Sequence, residues 1–437
     1  MQSKKGKIMK NRSTKKAKTV SRRQFLKSSA VAAGAAIAWP TIVPSSVFGA
    51  DVPSNRIRMG CIGMGGQGTG NMRGFKGKSG CDVVAVCDVD NGHREKARQI
   101  AGLGASSSYN DFRELLARDD IDAVSVAPPD HWHVPISVAA VRAGKDVFCE
   151  KPLTLSIAEG RTLADEVKRF GRIFQTGSQQ RSGNEFRFAC ELVRNGRIGK
   201  LHTMKVGIPG NNRKCPPTWE AEPVPEGFDY DMWLGPAPWE PYTKQRCHYQ
   251  FRFILDYSGG QMTNWGAHYL DIAQWGNAAD DSGPVEIVGS GDFPRTGLFT
   301  TAQNENIEYT YANGVKLYLQ SGGGNIRFEG SEGWVFVTRG KIDAEPKSLL
   351  TSKIGPDELH LYNSRDHKQN FLDCIRSRKD TICTAEIGHR SSSVCHLGNI
   401  AMLLDRKLKW DPKAERFIND SAANRMLVRG MRAPWRL

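Results

Sequence analysis

The chain has 437 residues and a formal net charge of +15, from 61 Lys and Arg against 46 Asp and Glu. Residues 1–50 contain 11 of the basic residues and none of the acidic ones, so the remaining 387 residues carry a net charge of only +4. This distribution argues against a nucleic-acid-binding surface on the folded body. The hydrophobic content of 39% excludes a disordered chain, and the length is typical of two domains.

The first fifty residues have the order of segments found in export signals. Ser21–Lys27 (SRRQFLK) has the twin-arginine form, Ala30–Val43 is a modest apolar run, and small residues surround Val47–Ala50. A membrane anchor and a basic nucleic-acid arm are the alternatives, but the run is too short and too weakly apolar to span a bilayer. We therefore predict a twin-arginine signal peptide over residues 1–50, cleaved near residues 49–51, and a periplasmic or otherwise exported protein without stable membrane insertion.

The ten cysteines do not form a Cys-x-x-Cys pair, and no His, Cys and Asp residues have metal-ligand spacing. We therefore expect no metal site. Cys61, Cys87 and Cys149 lie in apolar runs and are expected to be buried free thiols. A chain that folds before export needs no disulfide bonds.

A dinucleotide-binding pattern begins at the predicted strand Arg56–Ile62. The following turn fits G-x-G-x-x-G, a helix is predicted from about Gly66 to Lys76, and a second strand, Val83–Cys87, ends at Asp88, 20 residues after Gly68. The predicted coenzyme-binding residues of this turn are Gly63, Gly65, Gly66, Gln67 and Gly68.

Each position of this pattern has a physical role. Gly63 allows the tight turn, Gly65 lets the backbone approach a pyrophosphate, and Gly68 lets helix and strand pack closely. Asp88 is expected to bind a ribose 2′-hydroxyl. It favours NAD over NADP because a carboxylate repels a 2′-phosphate, although Arg94 lies nearby in the sequence.

Strand–helix alternation continues to about residue 177 and predicts a parallel, doubly wound sheet. The further predicted elements are a helix that ends at Gly102, a helix that begins at Phe112, helices Val134–Ala143 and Ile157–Phe170, and strands Ile121–Val126, Asp146–Cys149 and Ile173–Gln175. The residues at or just beyond strand ends, where such sheets bind ligands, are Pro128, Pro129, His131, His133, Glu150, Lys151, Gln179 and Gln180.

After residue 185 the alternation stops and strand-like runs dominate, which predicts an antiparallel sheet. The runs are Leu201–Val206, Val285–Ser290, Ile307–Tyr311, Val315–Gln320, Ile326–Glu329 and Trp334–Val337. Helices are predicted again at Lys368–Arg376 and Ser392–Leu404. We therefore predict an α/β protein with an NAD-binding Rossmann domain at 51–184 and a substrate-binding α/β domain at 185–437.

Three motifs together resemble the Gfo/Idh/MocA oxidoreductase family. They are the Glu150-Lys151-Pro152 turn after the fifth predicted strand, the proline-rich turn Ala127–His133, and Gly259–Asp271, which looks like the family's Gly-Gly…Asp-x-Gly-x-His-x-x-Asp segment. The resemblance covers residues 55–437. It implies a sugar or polyol held between the two domains over the nicotinamide, and a large, mostly antiparallel second sheet. It also implies coenzyme contacts from Pro128, His131, His133, Glu150, Lys151 and Gln179.

The same resemblance indicates the proton-transfer residues. Lys151 is the expected base, because an ammonium group shielded from water near a cationic nicotinamide has a lowered pKa. His268 is the expected second acid or base, and Asp271, one helical turn further on, could orient its ring or serve packing alone. Asn264 stands where many members have Asp, so it can orient a hydroxyl but cannot take its proton.

An aromatic segment, Pro216–Phe253, suits either the C–H faces of a sugar or packing and subunit contact. Overall we expect an exported NAD-dependent oxidoreductase that acts on a sugar or sugar derivative. The alternative is an NAD-dependent glycoside hydrolase of the α-N-acetylgalactosaminidase type, and a non-catalytic sugar- or nucleotide-binding protein is the third hypothesis. We expect no nucleic-acid partner and a homo-oligomer.

Overall fold

The computed structural model describes residues 56–211 and 218–437. The predicted signal peptide at 1–50 and Cys215 therefore lie outside the described residues. The nine described cysteines are free and buried, Cys61, Cys87 and Cys149 among them. None of the described helices combines the length and the apolar character that crossing a membrane requires.

The first half of the described chain forms a parallel sheet with strand order β3-β2-β1-β4-β5-β6, which confirms the predicted doubly wound fold. Its strands are β1 Ile57–Ile62, β2 Cys81–Cys87, β3 Ser108–Tyr109, β4 Ala123–Val126, β5 Asp146–Cys149 and β6 Phe174–Thr176. Its helices are α1 Gly66–Lys76, α2 Asn91–Ala101, α3 Phe112–Leu116, α4 His133–Arg142 and α5 Ile157–Phe170. The central strands β4 and β5 are buried throughout because helices cover both faces of a parallel sheet.

The second sheet has nine strands in the order β13-β12-β11-β7-β10-β9-β8-β14-β15 and is mostly antiparallel, as predicted. Its strands are β7 Leu201–Ile208, β8 Pro284–Asp292, β9 Gln303–Tyr311, β10 Lys316–Ser321, β11 Asn325–Gly330, β12 Gly333–Thr338, β13 Lys341–Glu345, β14 Leu408–Asp411 and β15 Arg416–Phe417. β7 pairs with β10 in parallel and with β11 in antiparallel orientation.

The helices of the second half are α6 Asn184–Arg194, α7 Tyr230–Leu234, α8 Gln261–Asn264, α9 Gly266–Gly276, α10 His367–Ser377, α11 Ala385–Leu404 and α12 Ser421–Arg425. Helices α6, α9 and α11 pack on one face of the second sheet. Helix α10 instead packs on the first sheet, where Phe371 lies 6.1 Å from the Phe75 ring and 5.9 Å from the Phe148 ring. A helix of the predicted second domain thus packs on the sheet of the first, and the domain boundary between residues 184 and 185 stays a prediction.

Helix α8 was not predicted, and α9 was expected only as a helical turn from His268 to Asp271. All eleven residues of α9 are buried, so its sequence lacks the polar face that would reveal a helical period. Helix α9 therefore lies inside the molecule. Its residue His268 lies close enough to Lys151 to interact with it electrostatically.

Candidate coenzyme and catalytic site

The glycine-rich turn joins β1 to α1 in a tight conformation that side chains would prevent. Gly63 has a φ of 81°, and a Cβ atom there would lie 2.3 Å from the backbone nitrogen of Pro128. A Cβ atom at Gly68 would lie 1.7 Å from the carbonyl oxygen of Gly63, so helix and strand touch through this glycine. A Cβ atom at Gly65 or Gly66, by contrast, would meet no described atom within 4 Å beyond the adjoining residues and the helix's own backbone. This open space at the helix start, where amide groups lack intrahelical acceptors, fits a pyrophosphate.

Asp88 follows β2 and faces the same turn. Its carboxylate accepts hydrogen bonds from the backbone amides of Met64 and Asp90, and His93 Nδ1 lies 3.9 Å from Asp88 Oδ2. Burial raises the pKa of Asp88, whereas the two amides and His93 act in the opposite direction. The arrangement suits a carboxylate that accepts from a ribose hydroxyl.

Arg94 is not positioned to bind the 2′-phosphate of NADP. Its guanidinium donates to the backbone oxygen of Asp88 at 2.6 Å and to the side-chain oxygens of Asn110 and Asn91 at 3.1 and 2.8 Å. These neutral acceptors hold Arg94 outside the lining of the adjacent cavity. The carboxylate of Asp88 therefore dominates the charge where a 2′-phosphate would lie.

A cavity of about 560 Å³ extends along the carboxyl edge of the first sheet from Asp88 to Lys151, a size typical of cofactor sites. The predicted coenzyme-binding residues that line it are Gly63, Gly65, Gly66, Gln67, Asp88, Pro128, His133, Glu150 and Lys151. The residues present therefore fit a dinucleotide, with the adenosine half beside Asp88 and the nicotinamide half beside Lys151.

Three predicted coenzyme-binding residues do not line the cavity. Gly68 serves the contact between helix and strand. His131 is fully buried with Nε2 2.9 Å from the carbonyl oxygen of Trp233, and burial lowers the pKa of its imidazole to about 3, so the ring is neutral. Gln179 is exposed, whereas its neighbour Gln180 points inward because the chain makes a short 3-10 turn there.

Glu150 and His133 line the cavity while their polar atoms bind protein groups. Glu150 Oε1 accepts from Gln67 Nε2 at 2.9 Å and from Asn71 Nδ2 at 2.8 Å, which fixes the start of α1 to the end of β5. The two ring nitrogens of His133 lie 2.6 Å from the carbonyl oxygen of Pro152 and 3.0 Å from that of Pro128. Both side chains therefore hold the turn that carries Lys151.

Lys151, Asn264 and His268 come together at the nicotinamide end. Lys151 Nζ donates to the backbone oxygen of Asn264 at 3.0 Å and to its Oδ1 at 3.1 Å. Burial lowers the pKa of Lys151, an effect that Glu150 partly opposes. Burial, and to a smaller extent the charge of Lys151, hold the pKa of His268 well below its usual range, so the imidazole is neutral. Its Nδ1 is buried and has no hydrogen-bond partner among the described residues.

Asp271 does not hydrogen-bond the imidazole of His268, so of the two roles considered for it, orienting that ring is not the one observed. Its carboxylate accepts from Arg181 Nε at 2.8 Å, from Arg181 Nη2 at 2.9 Å and from Ser391 Oγ at 2.6 Å. Arg181 also pairs with Asp280 at 2.6 Å. Because Arg181 follows β6, the pair ties α9 to the edge of the first sheet.

Three residues near the site, Gln261, Trp265 and Arg339, were not predicted from the sequence as site residues. Asn264 Nδ2 donates to Gln261 Oε1 at 3.0 Å, Arg339 Nε donates to Gln180 Oε1 at 3.2 Å, and the Arg339 guanidinium lies 4.9 Å from the Trp265 ring centre. Gln261 and Trp265 lie inside the Gly259–Asp271 motif and could have been found. Arg339 lies in the turn between β12 and β13, and no local signal connects it to Lys151.

The comparisons with known proteins agree with this site. Residues 57–178 match the family described as "Oxidoreductase family, NAD-binding Rossmann fold", and residues 212–437 match "Oxidoreductase family, C-terminal alpha/beta domain" of Gfo/Idh/MocA proteins. Residues 19–38 match the twin-arginine translocation signal, which confirms the predicted export route.

Two curated relatives illustrate the range of activities. The chain is 31% identical over 176 residues to a myo-inositol 2-dehydrogenase of Thermotoga maritima, covering 40% of this chain and 51% of the relative. It is 32% identical over 164 residues to an alpha-N-acetylgalactosaminidase of Shewanella oneidensis, covering 36% of each chain. The chain thus spans about half or less of the length of these relatives.

Solved structures share the fold. An aldose-aldose oxidoreductase from Caulobacter crescentus, complexed with glycerol, has a TM-score of 0.63 at 19% identity and covers 81% of this chain and 99% of that chain. The WlbA dehydrogenase from Bordetella pertussis, in complex with NADH and UDP-GlcNAcA, has a TM-score of 0.62 at 15% identity, with 82% and 99% covered. The chain therefore belongs to the Gfo/Idh/MocA oxidoreductase family and is an NAD-binding enzyme with a twin-arginine export signal.

Proposed function

We propose that the mature protein is an exported NAD-dependent oxidoreductase that acts on a sugar or sugar derivative. The observation that carries the proposal is the contact of Lys151 with Asn264 at 3.0–3.1 Å, near the buried His268. Of these residues Lys151 lines the cavity, at the end away from Asp88. NAD, when bound, supplies the acceptor for a hydride from a ring carbon. The protein must then manage the proton of the hydroxyl group.

Lys151 and His268 are suited to that proton. Burial favours the neutral amine of Lys151, and this form can accept a proton from a substrate hydroxyl. His268 is neutral and can hydrogen-bond a second hydroxyl. Asn264 presents its Oδ1 to Lys151 and is held by Gln261, so it orients groups without exchanging a proton.

An NAD-dependent glycoside hydrolase is the second candidate. It is supported by the relatives named as glycosyl hydrolase family 109 proteins and by the non-titrating Asn264. It is also supported by the export signal, because no pool of free NAD exists outside the cytoplasm and a redox-neutral cycle needs none. In this reaction the coenzyme supplies a transient oxidation and is restored in the same site.

One experiment separates the two candidates. The exported form is purified and incubated with glycosides and with the free sugars, without added coenzyme. Release of free sugar with no net change in nicotinamide absorbance supports the hydrolase. Stoichiometric reduction that then stalls supports the oxidoreductase. If neither reaction occurs, or if Lys151→Ala retains full activity, the proposed chemistry is wrong.

We also propose that the protein forms a homo-oligomer. Among the residues that the structure describes, helices α6, α9 and α11 pack on one face of the second sheet, and half-buried aromatic side chains such as Tyr318, Trp334 and Phe336 lie on its strands. Light scattering coupled to gel filtration tests this, and a monomer at micromolar concentration contradicts it.

A further inference from the structure

Residues 218–253, which we name the cover segment, belong by sequence to the second half of the chain but bind the edge of the first sheet. The amide of Asn91 donates to the carbonyl oxygen of Gly227 at 2.9 Å, and the amide of Asp229 donates to that of Val89 at 2.9 Å. Asn110 Nδ2 donates to Asp229 Oδ2 at 2.8 Å. The cover segment is therefore attached directly beside Asp88, at the adenosine end of the cavity.

A second attachment lies further along the same segment. The carbonyl oxygen of Trp233 accepts from Trp132 Nε1 at 3.0 Å and faces His131 Nε2 at 2.9 Å. At Gly235, with a φ of 48°, a Cβ atom would lie 1.9 Å from the indole ring of Trp132. The backbone thus lies directly against the proline-rich turn.

The cover segment also has a hydrophobic core of its own. Its buried side chains include Phe228, Tyr230, Trp233, Tyr242, Phe251 and Phe253. The Tyr230 and Trp233 rings stack at 5.9 Å, and the Tyr242 ring meets Tyr230 edge to face at 5.2 Å. Such packing holds the segment together as one wall.

This wall closes the cavity opposite the glycine-rich turn. Phe228, Met232, Trp233, His248, Phe251 and Arg252 line the cavity from this side. At the adenosine end the His248 ring meets the His93 ring edge to face at 5.2 Å, and His248 Nε2 lies 4.0 Å from Asp90 Oδ2. His248 has a φ of 53°, a conformation that non-glycine residues rarely adopt.

We propose that the cover segment retains the coenzyme, with His248 closing the exit at the adenosine end, so that NAD stays bound through many turnovers. The inference rests on NAD binding and deepens the proposed function. A dinucleotide in this cavity has the sheet edge on one side and the cover segment on the other. The contacts of Gly227, Asp229 and Trp233 hold the cover segment against the sheet edge, so this side of the cavity stays covered and we expect slow dissociation.

The same residues offer an alternative ligand. Possible ligand atoms of Asp90, His93 and His248 lie within 4.8 Å of one another, which could suit a metal ion. Asp90 Oδ1 however already accepts from the His93 amide at 3.1 Å as the cap of α2. The three residues also line the cavity beside Asp88. We therefore assign them to the nucleoside, and metal binding is an outcome that the experiment can reveal.

The test measures coenzyme exchange without any sugar present. The purified holoenzyme is freed of unbound coenzyme and mixed with isotopically labelled NAD, and the bound fraction is followed over time. We expect exchange over hours for the unaltered protein. His248→Asn removes the ring but tolerates the positive φ, and Asp229→Ser keeps a cap for α7 but is too short to reach Asn110. We expect both to exchange at least tenfold faster.

Trp239→Ala is the matched control, because Trp239 lies on the same segment with 64% of its surface exposed and does not line the cavity. Its exchange rate should equal that of the unaltered protein. Exchange within seconds in the unaltered protein, or an unchanged rate in both variants, overturns the inference. So does a stoichiometric metal ion whose removal alone releases NAD. Slow exchange without sugar turnover leaves the cover segment assigned and contradicts the proposed function instead.

Discussion

Lys151 owes its expected reactivity to its surroundings. Burial lowers the pKa of Lys151 below the ordinary value of 10.5, so the neutral amine becomes available at lower pH than for a surface lysine. We expect the turnover rate to rise with pH and to level off at an apparent pKa below that ordinary value. Because the pKa of His268 lies well below its ordinary value of 6.5, the part of the pH profile that His268 controls lies well below pH 6.5.

The variant Lys151→Arg tests this assignment, because arginine keeps the positive charge but does not lose its proton. The turnover rate should fall by roughly 10²- to 10⁴-fold, the range for loss of a general base, and the pH dependence should disappear. Lys205→Arg, at an exposed lysine on β7, is the control. A pH profile that survives in Lys151→Arg would assign the titration to another group.

Asp88 determines which coenzyme is accepted. Replacing it with Ser removes the carboxylate, so we expect NAD affinity to fall by about 10- to 100-fold, as for loss of a hydrogen bond to a charged group. Discrimination against NADP should fall as well, because the 2′-phosphate is no longer repelled. Calorimetric titration of coenzyme-stripped protein measures both. Asp119→Ser, at an exposed carboxylate, should change neither affinity.

At the scale of elements, the pair between Arg181 and Asp271 positions the catalytic helix α9. Both side chains are almost completely buried, with 1% and 0% of their surface exposed. Removing one partner leaves a buried charge, so Arg181→Met and Asp271→Asn should each lower the free energy of unfolding by about 3–5 kcal/mol. Urea denaturation measures this loss.

The double variant Arg181→Met with Asp271→Asn completes the cycle of the two single variants. It removes both charges, although Asp280 then loses its partner as well. It should lose less stability than the two single variants combined. An additive loss would show that the two side chains do not act as a pair. A lower turnover rate at unchanged pH dependence would identify Arg181 as a positioning residue.

The elements also show what the sequence could and could not predict. Helices α1 and α5 were predicted with the observed limits, Gly66–Lys76 and Ile157–Phe170, because a glycine turn or a cap marks their ends. The motifs around Lys151 and His268 were recognisable because they are local. The partner of Asp271 and the place of His248 depend on chain segments far apart in sequence, and no local pattern encodes such contacts.

At the scale of the whole molecule, the basic charge belongs mainly to the export signal and not to the catalytic body. The twin-arginine route carries folded proteins, so an enzyme loaded with NAD before export can keep it only if dissociation is slow. Export, the cover segment and a redox-neutral reaction are therefore mutually consistent. The roles of the cover segment and of the redox-neutral reaction would be weakened if purified protein lacked bound dinucleotide.

The exported fold should lose stability in mild acid because it buries neutral histidines. Burial lowers the pKa of His131 to about 3 and that of His367 to about 4, against an ordinary value of 6.5. Between these values the unfolded chain binds more protons than the folded one, so stability falls as pH decreases from 6.5. Each histidine contributes a slope of about 1.4 kcal/mol per pH unit in this window.

Urea denaturation of the unaltered protein and of His131→Gln between pH 6.5 and 4 measures that slope. The variant should show a shallower slope, whatever its stability at neutral pH, because glutamine binds no proton. His202→Gln, at an exposed histidine, is the matched control. If His131→Gln retains the full slope, His131 is not buried in its neutral form and does not cause the loss of stability in acid.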